Sequence, residues 1–235
     1  MSRRSGPAPA SGYDAPLSSG CRPLASGRDA DVYALDGDRV LRRYRSGGDV
    51  AAEAAVMTHL HRLGYPVPRV HHAAGPDLVL DRLVGPTLAQ SVVIGRTDAW
   101  SAARILLDLL GSLHALPTRR AAVPADRILH LDLHPENVIL TPAGPVVIDW
   151  RNAREGRPGL DVAMSAVILG EVAADGGSPL CRPARELLVA YLARTGPLPL
   201  LDQAVDLRRT LGPPGDARLA AAELIRALHP TGRER

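Results

Sequence analysis

The 235-residue chain has no lysine and no phenylalanine, only two cysteines, and 3% aromatic residues. The missing lysine excludes most. A Walker A phosphate loop needs a lysine to reach the nucleotide phosphates, and Schiff-base catalysis needs an amine. Neither chemistry is open to this chain. Without phenylalanine, the core must be filled by Leu, Val, Ile and Ala. Cys21 and Cys181 stand far apart with no metal-binding or redox spacing, which reads as spare thiols in a reducing compartment. No apolar run reaches transmembrane length. After Arg3 and Arg4, Ser, Gly, Pro and Ala stand where a secretory signal would need an apolar block. The expectation is a soluble cytoplasmic protein that uses no membrane.

Charge of one sign is also lacking. The net charge is only +3, and the basic residues are scattered, with short clusters at Arg42-Arg43 and Arg119-Arg120. A nucleic-acid binder would show a basic stripe, so this role is not expected. The length suits one sizeable core or two lobes sharing a cleft, and the apolar fraction of 46% is ordinary for a globular protein.

Residues 1–19 are rich in Ser, Gly, Pro and Ala and read as a disordered tail. From Arg22 the pattern becomes strand-like. Val32 to Leu35, a turn at Asp36-Gly37-Asp38, and Arg39 to Tyr44 predict antiparallel strands. A helix is expected over 50–63, opened by Asp49 as N-cap and closed by Gly64 before Pro66. Two short strands follow at 70–73 and 77–84, and Gly85-Pro86 breaks the pattern. Apolar residues at 105, 106, 109, 110, 113 and 116 have helical spacing within 99–116. Residues 128–150 carry short apolar runs around a polar loop, and helices near 158–174, 183–194, 199–211 and 216–228 finish the chain. Strands first and helices after predict an α+β protein with two lobes, one at 20–84 and the other at 85–235.

The strongest local signal is His130-x-Asp132-x-x-x-x-Asn137, followed by Val146-Val147-Ile148-Asp149. Phosphoryl transfer from ATP needs a base or orienter for the acceptor hydroxyl, and ligands for the magnesium that neutralises the phosphates. Asp132 is of the right type for the first task. Asn137 and Asp149 offer oxygen to a hard cation. Asp149 closes an apolar strand, where a lone carboxylate is costly without a metal or a donor. A single loop Asp is usually a turn or cap residue. The combined spacing, flanked by apolar strands, is far more specific.

His-Leu-Asp-Leu-His-Pro-Glu-Asn-Val-Ile-Leu and then Val-Ile-Asp-Trp resemble the aminoglycoside phosphotransferase and choline-kinase-like family, itself related to protein kinases. The resemblance extends from about Leu24 to Leu169. It implies a two-lobed, protein kinase-like fold, with a small antiparallel-sheet lobe carrying one helix and a mainly helical second lobe. It implies ATP and Mg2+ in the cleft, Asp132 as catalytic base, Asn137 and Asp149 as metal ligands, and His130 as support for the loop. Asp161, in the first turn of a helix, would brace that loop, although an acidic residue there also offsets the helix dipole. The partner would be a small-molecule acceptor: an aminoglycoside-like antibiotic, an amino alcohol or a sugar-like metabolite.

The N-terminal third tests the same idea. Along a strand, Val40, Arg42 and Tyr44 share a face. Glu53 falls on the apolar stripe of its helix with Val56, Met57 and Leu60, and a carboxylate there needs a cationic partner. Arg42 is the natural partner, and Arg43 is its competitor. Related kinases use a lysine at this strand position, and arginine's planar, bidentate fork is not equivalent. The loop Ser26-Gly27-Arg28-Asp29-Ala30 would cover the nucleotide, though a plain hairpin turn explains a single glycine nearly as well. Residues 78–83, with Asp81 and Leu83, resemble the segment that meets adenine through its backbone.

The resemblance thins after His114. Family members carry a long helical stretch there, and this chain has only about a dozen residues between Pro117 and Leu129. The acceptor side is therefore missing or rebuilt from the last helices. Glu155, Asp161, Glu171, Asp175, Asp202 and Asp206 are the carboxylates that could meet a polycation, or they are ordinary helix surface. Two rival readings stand beside the kinase. A metal-dependent hydrolase would use His130, Asp132 and His134 on one face of an extended strand. A pseudokinase would bind nucleotide and act through a partner.

Overall fold

The computed structural model describes residues 23–27, 29–119 and 123–228. The expected tail at 1–19, Cys21, Arg22, Arg28 and Arg120 lie outside the described residues. The first half is a five-stranded antiparallel sheet, in the order β1-β2-β3-β5-β4, with one helix. β1 spans Ala25–Ser26, β2 Ala30–Ala34, β3 Arg39–Tyr44, β4 Val70–Ala74 and β5 Asp77–Asp81, and α1 is Ala51–Arg62. The β2–β3 turn forms because the Asp36 carboxylate accepts the backbone N–H groups of Asp38 (3.0 Å) and Arg39 (2.8 Å), the self-capping for which Asp is favoured in turns.

α1 buries Glu53, Ala54, Val56, Met57 and Leu60, the stripe expected from the sequence. Asp49 is not its N-cap. Val50 takes that position, and Asp49 Oδ1 instead accepts the Ala51 N–H (2.9 Å) from one residue further out. The strand expected to continue to residue 84 stops at Asp81, where residues 82–85 leave the sheet.

A short helix absent from the sequence reading, α2 (Leu88–Val93), follows Gly85-Pro86. It is held by a capping box in which Thr87 Oγ1 accepts the Gln90 N–H and Gln90 Oε1 accepts the Thr87 N–H. Gly85 explains the break before it. With φ +150°, it passes so close to the strand at 138–141 that a Cβ would sit 2.1 Å from the Leu140 carbonyl oxygen.

The second half is mainly helical: α3 (Ala99–His114), α4 (Pro158–Ala174), α5 (Cys181–Thr195), α6 (Leu201–Leu211) and α7 (Ala217–Leu228). α3 buries Ala102, Ala103, Leu106, Leu109, Leu110 and Leu113. α4 is the central helix and buries every residue from Ala163 to Gly170. At Gly170 a Cβ would come 2.9 Å from the Ala221 Cβ of α7, so small residues set that close approach. Between α3 and α4 lie two small antiparallel pairs. β6 (Arg127–Leu129) pairs with β9 (Arg154–Gly156), and β7 (Val138–Thr141) pairs with β8 (Gly144–Val147). No helix among the described residues is long and apolar enough to cross a membrane.

Candidate active site

The β7–β8 hairpin brings the two halves of the sequence motif together. Val138 pairs with Val147, and the Ile148 N–H donates to the Asn137 carbonyl (3.0 Å). Asn137, just before β7, and Asp149, just after β8, therefore emerge at the same open end of the hairpin. The loop that precedes β7 is not an extended strand. Leu131 has φ +61° and Asp149 has φ +64°, a left-handed conformation that is costly for side chains other than glycine.

That strained loop is fixed from below by Asp161 at the start of α4. Its carboxylate is fully buried and accepts the backbone N–H groups of His130 (2.8 Å) and Leu131 (2.7 Å), with His114 Nε2 at 3.1 Å. Both ring nitrogens of His130 are engaged. Nδ1 accepts the Asp132 N–H (3.2 Å), so Nε2 carries the proton and donates to the Ile148 carbonyl (3.0 Å). The ring also packs edge-on against buried Trp150, 4.6 Å between centroids.

Asn137 donates from Nδ2 to the Asp132 carbonyl (2.9 Å), with His134 Nε2 at 3.1 Å. This leaves Oδ1 as the end of Asn137 that faces no protein donor among the described residues. Burial pushes the His134 imidazole down to about 4, so it is neutral and accepts that bond. His130, Asp132 and His134 do not converge, and no three His, Cys, Asp or Glu side chains among the described residues form a metal-holding group. The alternating-ligand geometry of a hydrolase required an extended strand, and the left-handed Leu131 removes it.

Arg42 joins the sheet to this loop. Its Nη1 donates to Glu53 Oε1 (2.9 Å) and its Nη2 to Asp149 Oδ1 (2.6 Å). The strand period assigns the competitor elsewhere: Arg43 points to the opposite face and forks onto Asp77 at 2.6 and 2.5 Å. Glu53 is further held by the Tyr44 hydroxyl (2.7 Å) and the Trp150 N–H (3.2 Å). Burial works against the charge on Asp149, but the Arg42 guanidinium outweighs it and holds the carboxyl below its ordinary value.

The remaining expected residues are Gly27, Asp81 and Leu83. Gly27 donates its N–H to the Ala30 carbonyl (2.9 Å), a tight hairpin turn, and Asp29 beside it pairs with Arg151 (3.1 Å), two residues past Asp149. The Asp81 side chain is occupied by His71 (2.7 Å) and the Arg69 N–H (3.1 Å). The backbone N–H and C=O of Leu83 take no protein partner among the described residues.

Sequence reasoning missed one residue of the site. Arg208 on α6 is buried and reaches Asp132 Oδ1 from Nη1 (3.2 Å), while Nε and Nη2 fork onto Glu171 at 2.9–3.1 Å. With Leu201, Ala204 and Val205 it falls at i, i+3, i+4 and i+7 on the buried stripe of α6, the same signal that marked Glu53 on its helix. Gly212 leaves room for it, since a Cβ there would sit 2.7 Å from Arg208 Nε. Through this ion pair α6 is tied to the Asp132 loop. Residues 115–126 contain no helix among those described, and α6 closes over the loop in their place.

The same architecture recurs in solved structures. The chain superposes on the gentamicin complex of APH(2'')-IIa with a TM-score of 0.55 at 14% identity, covering 91% of this chain and 92% of that one. For the streptomycin-ATP ternary complex of APH(2'')-IIa the score is 0.52 at 14% identity, over 88% and 90%. For the ADP-bound aminoglycoside phosphotransferase APH(2'')-Ib it is 0.53 at 14% identity, over 88% and 92%. At these identities the likeness establishes a shared kinase-like fold. None of the curated proteins compared matches the sequence significantly. The model of the phosphotransferase enzyme family, however, matches residues 20–127 and 118–204, most of the chain. The chain belongs to the phosphotransferase enzyme family.

Proposed function

We propose that this phosphotransferase moves the γ-phosphoryl group of ATP to a hydroxyl of a small molecule, in the cleft between the sheet and the Asp132 loop. The observation that carries the reading is the Arg42 fork, which ties the Glu53 helix to Asp149 and so assembles residues 107 positions apart into one site. The APH(2'')-IIa and APH(2'')-Ib structures that share the fold hold ATP and ADP, which supports nucleotide use here. Leu83 would meet the adenine edge with its unpaired backbone, and the turn at Gly27 would cover the phosphates.

The donor set suits magnesium. Mg2+ is usually held by one or two carboxylates together with substrate phosphates, and rarely by an all-protein cage. Asn137 Oδ1 and the Asp149 carboxylate would hold it, and when bound it neutralises phosphate charge. Asp132 accepts the proton of the acceptor hydroxyl as its oxygen attacks the γ-phosphorus. The bond from the γ-phosphorus to the bridging oxygen breaks, and ADP leaves with the electron pair. His130 and Asp161 hold the loop, and Arg42 orients the phosphates. The units 20–84 and 85–235 would serve as nucleotide lobe and catalytic lobe.

The test is ATP binding by calorimetry with and without Mg2+, in the wild type and Asp149→Asn. The reading expects magnesium to tighten ATP binding at least ~tenfold in the wild type (about 1.4 kcal/mol) and to have little effect in the variant. Magnesium-independent binding of equal strength in both proteins contradicts it.

A further inference from the structure

A cavity of about 250 Å³ opens beside the Asp132 loop, between α2, the 3-10 turn Pro135–Asn137, α4 and α5. Its walls are apolar: Val92 from α2, Ile168 and Val172 from α4, and Leu187 from α5. Its rim is apolar as well. Val93 and Leu180 line it while remaining 57% and 40% exposed. Its polar end is formed by His134, Glu136 and Arg208. Arg208 is the residue that touches the Asp132 carboxylate, so this end of the cavity abuts the catalytic loop.

Of the six candidate carboxylates, five are engaged elsewhere, and the sixth, Asp206, is exposed on α6 and does not line the cavity. Glu171 is forked onto Arg208, Asp161 is buried under the loop, and Glu155 accepts the Arg119 N–H (2.9 Å). Asp202 pairs with Arg226, and Asp175 accepts the Gly177 N–H (3.1 Å). Among the described residues, Glu136 is the one acidic side chain in the lining. Arg208 adds no free positive charge for an anionic substrate, because two carboxylates already engage it.

Resting on the phosphotransfer reading, we infer that this cavity is the acceptor site and that the acceptor is a compact, neutral, largely apolar alcohol. Pockets for drug-sized ligands run to about 300–1,000 Å³, so this cavity suits something smaller. The apolar body would lie between α2, α4 and α5, and its hydroxyl would point past Arg208 toward Asp132. In the reaction that follows, the alcohol oxygen bonds to the γ-phosphorus, its proton goes to Asp132, and ADP departs. A polycation the size of an aminoglycoside would find one carboxylate and a cavity too small.

The experiment gives the purified full chain MgATP with 2-phenylethanol, cyclohexylmethanol and 1-hexanol on one side and gentamicin on the other. Phosphorylated product is read by mass spectrometry. Two variants locate the site: Val93→Glu puts charge on an exposed rim position that folding does not depend on, and Ala184→Met fills the cavity from α5. The expected result is transfer to at least one apolar alcohol and none to gentamicin, with KM for the alcohol raised at least ~tenfold in both variants and kcat changed far less. Transfer to gentamicin alone, or an alcohol KM unchanged in both folded variants, overturns the inference and leaves the phosphotransfer reading intact. No transfer to any acceptor, with MgATP demonstrably bound, overturns that reading and the acceptor assignment with it.

Discussion

Single side chains decide whether this site is assembled. Arg42 uses two nitrogens of one guanidinium to hold Glu53 and Asp149 together, a geometry the ammonium of lysine does not reproduce. Arg42→Lys is expected to fold and to raise KM for ATP about tenfold, a loss of ~1.4 kcal/mol of binding, measured by steady-state kinetics. An unchanged KM would show that the fork is ornamental. Asp161→Ala acts on stability instead. It leaves the buried N–H groups of His130 and Leu131 without an acceptor, each costing about 1–3 kcal/mol, so the urea midpoint should fall steeply. That Glu53 needs an arginine from β3 was legible in the sequence, with Arg42 favoured and Arg43 left as competitor; the structure decides for Arg42. For Arg208 the buried stripe of α6 was readable, but its partners were not. Its partners lie 76 and 37 positions away, and only the packing of α6 over the loop brings them within reach.

At the scale of elements, caps and close approaches set where helices begin and how segments meet. Asp98 caps α3 by accepting the Ser101 hydroxyl (2.7 Å) and N–H (2.9 Å), and these bonds hold its carboxyl below the ordinary value. A carboxyl depressed by folding contributes stability that is present above its unfolded value of about 3.9 and is lost as pH falls through the folded value. Asp98→Ala should therefore lower the thermal midpoint at pH 7, and the gap to the wild type should narrow as pH drops below ~4. A gap that stays constant down to pH 3 would contradict the cap's ionised role. Gly85→Ala should be far more damaging than an ordinary loop substitution, since its Cβ would overlap the Leu140 carbonyl and force β7 away from α2. Most long helices and the sheet strands were readable from periodicity, and α4 to α7 fall close to their expected positions. α2 and β9 were not. Six and three residues are too few to show a period, and their places follow from tertiary contacts: α2 lies against the Pro135–Asn137 turn and β7, and β9 pairs with β6.

For the molecule as a whole, a five-stranded sheet and a helical body are joined by the Arg42 bridge and by the Asp29–Arg151 ion pair, and α6 of the helical body closes over the Asp132 loop. The kinase-like fold was legible because its motif is local and specific. The acceptor was not, because most of the carboxylates that look available in the sequence are engaged by arginines and backbone donors once the chain folds. The central claim is that Asp132 serves phosphoryl transfer and is not merely one end of a structural ion pair with Arg208. Asp132→Asn keeps the shape and a hydrogen-bond acceptor for Arg208 but lowers the basicity of the group. The most direct measurement is single-turnover transfer of the γ-phosphoryl group to an accepted alcohol, in the wild type and Asp132→Asn, with ATP affinity measured alongside. The expected result is a transfer rate reduced by about 10²-fold or more, the usual contribution of a positioned base, with ATP affinity little changed. Transfer at the wild-type rate in Asp132→Asn would contradict it.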